Sequence, residues 1–199
     1  MERLKNFTDR HMKYDDADDV FLIRAISSGR REALMALAGR YMSLVSRTAY
    51  RILCDLPDSE DVTVAVFRHV WGKASFFEFN SDVRTWIYEI TCGVCHAHLK
   101  KRRFLDLLSL RPSLYETSAP RPESSEEDFI TNETWKIYCR AVRGLSPKQR
   151  TVFALRELEG LSVEETVFVT GMSPERIRSN LREAREKIKE ELERYGKVG

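Results

Sequence analysis

Apolar side chains recur every three to four residues through most of the chain, and strand-like alternation is nearly absent. The first such run predicts a helix over 15–28, opened by acidic residues that suit a helix N-terminus, with Val20, Leu22, Ile23 and Ile26 on its apolar face. Gly29 stops it. A longer amphipathic helix follows over 31–53, with Leu34, Leu37, Tyr41, Leu44, Val45, Thr48 and Ile52 near helical spacing. Leu56-Pro57-Asp58 reads as a turn, and 59–71 as the next helix with Ser59 as its cap. Residues 73–82 hold Phe76, Phe77 and Phe79 among polar positions and read as a loop. Residues 83–103 form another helix, ending in Lys100-Lys101-Arg102-Arg103.

The pattern breaks at 109–127, where Pro112, Pro120 and Pro122 mix with serines and acids, the composition of a linker with little order. Helical periodicity resumes near Phe129, with Trp135, Tyr138, Ala141 and Val142 on one face. Ser146-Pro147 restarts the chain into a helix over 147–158. Next, Ser162 stands three residues before Glu165, the spacing of a capping box, and Val163, Val167 and Thr170 follow at helical intervals. Gly171 breaks that helix and Ser173-Pro174 opens another, over 174–189, whose apolar stripe is Ile177, Leu181, Ala184 and Ile188. Arg176, Arg178, Ser179, Arg182 and Arg185 fall mostly off the stripe. Helix, tight turn and basic helix is the geometry of a helix-turn-helix whose second helix enters a major groove, although a plain packed hairpin with a solvated face has the same pattern. The expected fold is therefore all-α: two small helical domains joined by an acidic flexible linker, the C-terminal one a helix-turn-helix. The boundaries fall at 1–105, 106–130 and 131–199.

Composition adds little and charge distribution more. The 199 residues are 42% hydrophobic and 32% charged, with a net charge of +2, so no global basicity announces nucleic acid. Residues 1–105 carry 17 Lys/Arg against 14 Asp/Glu, residues 106–131 carry 2 against 6, and residues 132–199 carry 14 against 11. Two mildly basic blocks thus flank an acidic connector. No run approaches the ~20 apolar residues of a membrane helix, and the N-terminal stretch has no apolar signal core, so a cytoplasmic protein without membrane insertion is expected. In a reducing cytosol Cys54, Cys92, Cys95 and Cys139 read as buried thiols.

Catalysis is not expected. The chain has no glycine-rich phosphate loop, no HExxH and no nucleophile elbow, and no cofactor is implied. Cys92, Cys95, His96 and His98 lie within seven residues. On a helix turning roughly 100° per residue, Cys92, Cys95 and His96 share a face while His98 points away, a poor start for a tetrahedral zinc site. Thiols used as small hydrophobes are preferred over a metal or redox sensor, and no metal ligand is assigned. A second constellation sets Phe76, Phe77, Phe79, Asn80, Trp86 and Tyr88 upstream of the Lys100–Arg103 cluster. Aromatic platforms beside cations hold unpaired bases and their phosphates; equally, aromatics fill cores and cations favour helix C-termini.

The ordered set of motifs resembles the extracytoplasmic-function (ECF) sigma factors, the small two-domain initiation factors of bacterial RNA polymerase. The resemblance runs through Leu22-Ile23 with Gly29-Arg30-Arg31-Glu32-Ala33, Arg40-Tyr41, Ser59-Glu60-Asp61-Val62, Val66-Phe67, Val70-Trp71 and Thr85-Trp86-Ile87-Tyr88 with Ile90. It continues in Leu145-Ser146-Pro147-Lys148-Gln149-Arg150, in Leu155-Arg156-Glu157-Leu158-Glu159-Gly160-Leu161-Ser162, and in Arg178-Ser179, Arg182 and Ala184-Arg185. It covers about residues 15–195, the linker excepted.

The resemblance implies a non-enzymatic specificity subunit. Its first domain would bind the clamp coiled coil of the polymerase β′ subunit through Asp61, Val64, Phe67, Arg68 and Trp71. It would meet the −10 element as single strand through Phe79, Asn80, Ser81, Arg84, Trp86, Lys100, Lys101, Arg102 and Arg103, with an extruded base captured. The second domain would sit on the β flap and read the −35 element, with Arg178, Ser179 and Arg182 at base edges, Arg156 and Arg176 on phosphates, and Arg185 nearby. An anti-sigma factor is an expected partner, with an apolar face around Tyr88, Cys95 and Leu99 as its docking surface. The chain departs from the family where Val64-Ala65 replace Gln-Glu, Gly93 an asparagine, Thr166-Val167 a buried isoleucine and a small alanine, and Glu183 a basic residue. A stand-alone helix-turn-helix regulator and a degenerate sigma paralogue are the alternatives.

Overall fold

The structure is a computed structural model, and it describes residues 14, 16–79, 82–107 and 132–196. The expected linker falls almost wholly outside them. Among the described residues there is helix and no strand.

Among the described residues, four helices make the first block. Helix α1 (Asp19–Ser27) is capped by Asp18, whose side chain accepts from the Phe21 amide at 2.7 Å. It buries Leu22, Ile23 and Ile26 and stops at Gly29, which takes φ +79°, a conformation glycine adopts freely. Helix α2 (Arg31–Leu53) crosses the block and packs on α1, α3 and α4. Its C-terminus closes in a left-handed residue that is not glycine, Cys54 at φ 51°, whose amide bonds the Tyr50 carbonyl at 2.8 Å.

Helix α3 (Leu56–Lys73) starts earlier than the sequence suggests. Asp55 is the cap, accepting from the Asp58 amide at 3.1 Å, and Pro57 is accommodated in the first turn, where an amide would lack a partner anyway. Ser59 is not the cap but lies inside the helix, its hydroxyl donating to the Leu56 carbonyl at 2.7 Å. A 3₁₀ turn, Ala74–Phe76, leads to helix α4 (Val83–Leu107), capped by Asp82 through the Thr85 amide at 2.9 Å.

The second block begins with α5 (Asn132–Arg143) and α6 (Pro147–Phe153), the latter opened by a full capping box between Ser146 and Gln149. A π-helical turn, Ala154–Leu158, then widens the coil, where the sequence suggested one regular helix. Helix α7 (Val163–Thr170) carries the predicted Ser162–Glu165 capping box and ends at Gly171, φ 63°. Helix α8 (Pro174–Gly196) is longer than the predicted 174–189 and packs on α5, α6 and α7. Val152, Met172, Ile177 and Leu181 form the core beneath the helix pair α7–α8.

The two blocks are packed on each other. Helix α4 lies against α6 and α7, and α2 lies against α6 and the π turn. The core of the first block continues without a break into Ala154, Leu155, Leu161 and Val169 of the second.

Candidate nucleic-acid interface

The local chemistry of α8 turns its arginines outward. With Ile177, Leu181, Ala184 and Ile188 buried at helical spacing, Arg176, Arg178, Arg182 and Arg185 are left on the exposed side. Ser173 caps the helix through the Arg176 amide at 3.4 Å. The partners of this face differ by position. Ser179 donates to Glu183 at 3.0 Å, Gln149 Nε2 donates to the other oxygen of Glu183 at 2.7 Å, and Lys187 reaches Gln149 Oε1 at 3.3 Å. The Glu183 carboxylate is thus drawn back toward α6 rather than thrust at a phosphate, which accommodates this departure from the family pattern. Arg185 pairs with Glu157 at 2.6 Å, both partly exposed. Arg156 is half-buried: its guanidinium donates to the Leu161 carbonyl, and its Nε is buried without a hydrogen-bond partner among the described residues. Arg156 therefore closes the turn before α7 here and does not face outward. The hydroxyl of Thr166, fully buried, is satisfied by the Ser162 carbonyl at 2.7 Å.

In the first block Asp61, Val64, Arg68 and Trp71 form one exposed stripe along α3, with Val64 58% and Trp71 37% accessible. Phe67, expected on that stripe, turns the other way into the core. Asn80 and Ser81 lie outside the described residues. Phe79 is half-exposed; its ring meets Phe77 edge-on at 5.3 Å and carries the Arg24 guanidinium 4.7 Å above it. Trp86, expected as a base platform, is buried under Phe77 at 5.0 Å. Phe76, at 80%, is the more available ring. Arg84, Lys100, Lys101 and Arg103 are exposed. Arg102 is not, because it reaches back to Asp55 at 3.4 Å and to Asp58. His98 Nε2 stands 3.1 Å from the same Asp58 carboxylate. The His98 imidazole, and the charge of the Arg102 guanidinium beside it, hold the Asp58 carboxyl below the usual carboxylate range against the opposing effect of burial. Gly93 is exposed on α4, with open space where a Cβ would stand.

The cysteine–histidine string does not converge. Cys92 and Cys95 are buried, with burial pushing the Cys92 thiol up to about 12; His96 turns to the Thr151 hydroxyl at 2.7 Å and His98 to Asp58. Nor is the face around Tyr88, Cys95 and Leu99 an open docking surface. These residues are 1%, 0% and 7% accessible and belong to the core that runs on into the second block.

The residues that sequence reasoning missed lie on that seam. Glu159, its side chain 1% accessible, caps the C-terminal end of the π turn. Arg47 Nη2 donates to it at 3.1 Å, Arg51 Nη1 at 2.9 Å, Thr48 Oγ1 at 3.1 Å and Tyr88 Oη at 3.0 Å. All four donors belong to the first block, 71 to 112 residues away in sequence, and no local pattern could have paired them.

Two sequence patterns of one family match this chain in the order the fold requires. Residues 37–104 match Sigma-70 region 2, and residues 138–188 match Sigma-70, region 4. The chain belongs to the ECF sigma factors of the sigma-70 family. Over 183 residues it is 25% identical to the ECF RNA polymerase sigma-E factor of Haemophilus influenzae, covering 88% of this chain and 95% of that protein. To the sigma-E factor of Escherichia coli K12 it is 27% identical over 180 residues, 85% and 92% of the two chains. In fold, this sigma factor is similar to CnrH in its complex with the cytosolic domain of CnrY, with a TM-score of 0.61, 19% identity and coverage of 88% and 97%. It is also similar to RpoE of Bartonella quintana in complex with the anti-sigma factor NepR, with a TM-score of 0.63, 18% identity and coverage of 78% and 94%. The region 2 match spans α3 and most of α4, and the region 4 match ends within α8, so both candidate surfaces lie inside the matched segments. No helix of this sigma factor, among the described residues, is long and apolar enough to cross a membrane.

Proposed function

We propose that this sigma factor directs core RNA polymerase to a specific set of promoters, acting as a non-enzymatic specificity subunit in two domains. The exposed stripe Asp61, Val64, Arg68 and Trp71 docks on the β′ clamp coiled coil, aromatic and arginine side chains being enriched at protein interfaces. Phe79, Asn80, Ser81, Arg84, Lys100, Lys101 and Arg103 hold the opened −10 strand, and Trp86 supports the edge-to-face pair Phe77–Phe79. The second domain rests on the β flap. Arg178 and Arg182 read base edges of the −35 element, where the guanidinium fork matches the guanine O6/N7 pair, and Arg176 and Arg185 hold phosphates. Ser179 orients Glu183, and Arg156 braces the turn that sets the angle between α7 and α8. An anti-sigma factor holds the chain inactive. It is the partner seen with the structurally similar RpoE.

The single observation that carries the reading is the ordered pair of region 2 and region 4 matches, joined to an α8 whose arginines face outward. Reconstitution tests it. Purified chain added to core polymerase yields a discrete start on a cognate genomic promoter and co-elutes with the core enzyme. A chain that footprints duplex DNA tightly without polymerase, and does not co-elute, is instead a stand-alone regulator.

A further inference from the structure

Glu183 stands on α8 where a basic residue is common in the family, and it ends a hydrogen-bond chain whose polarity is fixed throughout. Gln149 is buried, and its amide oxygen accepts from the Ser146 amide at 3.0 Å and from Lys187 at 3.3 Å. Its Nε2 therefore points the other way and donates to Glu183 Oε2 at 2.7 Å. Ser179 Oγ lies 3.0 Å from Glu183 Oε1. A carboxylate only accepts, so the single hydroxyl proton of Ser179 is committed to that bond. What Ser179 has left to present is its lone pairs. Ser179 and Glu183, one turn apart and both half-buried, thus offer acceptors and no donor. At roughly 100° per residue, Arg182 falls about 60° to one side of Ser179 and Glu183 about 40° to the other. Helix α8 therefore carries a guanidinium fork and an acceptor pair side by side.

Such a surface discriminates among base pairs. In the major groove guanine shows the N7 and O6 acceptors, thymine the O4 acceptor and a methyl group, and adenine an amino donor beside the N7 acceptor. Cytosine alone shows an amino donor with no acceptor next to it. Lone pairs on Ser179 and Glu183 oppose guanine and thymine, and the N7 of adenine would meet one of them. Two desolvated acceptors facing each other leave both without a partner, which is costly. The C·G pair fits both halves of the surface: the cytosine amino group donates to the acceptor pair, and the guanine O6 and N7 across the same pair take the guanidinium. We infer that Ser179 and Glu183 are specificity-determining residues that select a cytosine at one position of the −35 element, its guanine partner being read by Arg182. The inference deepens the promoter reading proposed above and rests on it.

The test is selection from a promoter library randomised across the −35 element, bound by the full chain assembled with core polymerase and then sequenced. The wild type should enrich cytosine at one position by about tenfold over each other base. Glu183→Gln, whose amide both donates and accepts and so matches adenine N6 and N7, should move the preference at that position to adenine. Ser179→Ala, which removes one acceptor, should lower the cytosine enrichment there by about threefold. Circular dichroism checks that each variant keeps its helix; if Glu183→Gln does not, the wild type and Ser179→Ala decide. A wild type without a cytosine preference in the element, a preference that survives the substitutions, or variants that weaken all sequences alike would each overturn the inference. A wild type that forms no holoenzyme refutes the sigma reading by itself, and the same library bound by the chain alone then decides whether cytosine is selected.

Discussion

Asp58→Asn tests whether a carboxylate clasp sets the end of α4. The Asp58 side chain is 12% accessible and holds Arg102, 21% accessible, and His98, 23% accessible, so the start of α3 is tied to the basic end of α4. Removing one member of a buried pair costs roughly 3–5 kcal/mol. Here the partners keep some water and Arg102 keeps Asp55 at 3.4 Å, so about 2 kcal/mol is expected. For a chain of this size that lowers Tm by roughly 4–8 °C. The sign with pH follows from the depressed carboxyl. Its stabilisation is complete above the ordinary value of 3.8 and is lost as pH falls through the lower folded value. The Tm gap between wild type and variant should therefore close as pH falls below about pH 4. Scanning fluorimetry across pH 3–7 measures it. A gap as wide at pH 3 as at pH 7, or a variant melting within about 1 °C of wild type at pH 7, would refute the clasp.

Three further outcomes are expected. Arg182→Ala should cost ~1–3 kcal/mol of discrimination at one −35 base pair, whereas Arg176→Ala should weaken all sequences alike and reduce the salt slope by about 1; holoenzyme binding to a set of promoter variants separates them. Trp71→Ala should weaken binding to core polymerase by about 2 kcal/mol, roughly 30-fold in Kd, as interferometry would read it. Thr166→Val should melt within about 1 kcal/mol of wild type, because the Ser162 carbonyl that loses the Thr166 hydroxyl still accepts the Thr166 amide at 3.0 Å.

Local signals in the sequence were dependable where the physics is local. Ser146-Pro147, the Ser162–Glu165 box and Gly171 each set a helix end through groups within four residues, and each is found as read. The apolar stripe of α8 likewise placed its arginines outside, since a periodic face must be buried somewhere. Ser59 misled because Asp55, one turn earlier, caps as well and Pro57 tolerates the first turn. Trp86 and Phe67 misled for a different reason: residue type announces a large ring but not which way it turns. Arg102 was legible as a cation, but its direction depended on Asp58, 44 residues earlier in the chain. The Glu159 seam was hidden altogether. The charges were plain in the sequence, but pairing across the blocks is a property of the tertiary arrangement.

The π turn at Ala154–Leu158 has a consequence for how this chain tolerates change. An inserted residue in a helix rotates everything after it by about 100°. That rotation carries Glu159 round to the first block and sets the azimuth at which α7 leaves. Deleting one residue within the turn would restore a regular coil, yet it would swing the carboxylate away from its four donor residues and re-aim α7 and α8. Point substitutions in this stretch act on one contact at a time, whereas length changes act on docking and on groove approach together. A variant with one residue deleted here should therefore differ in both properties at once.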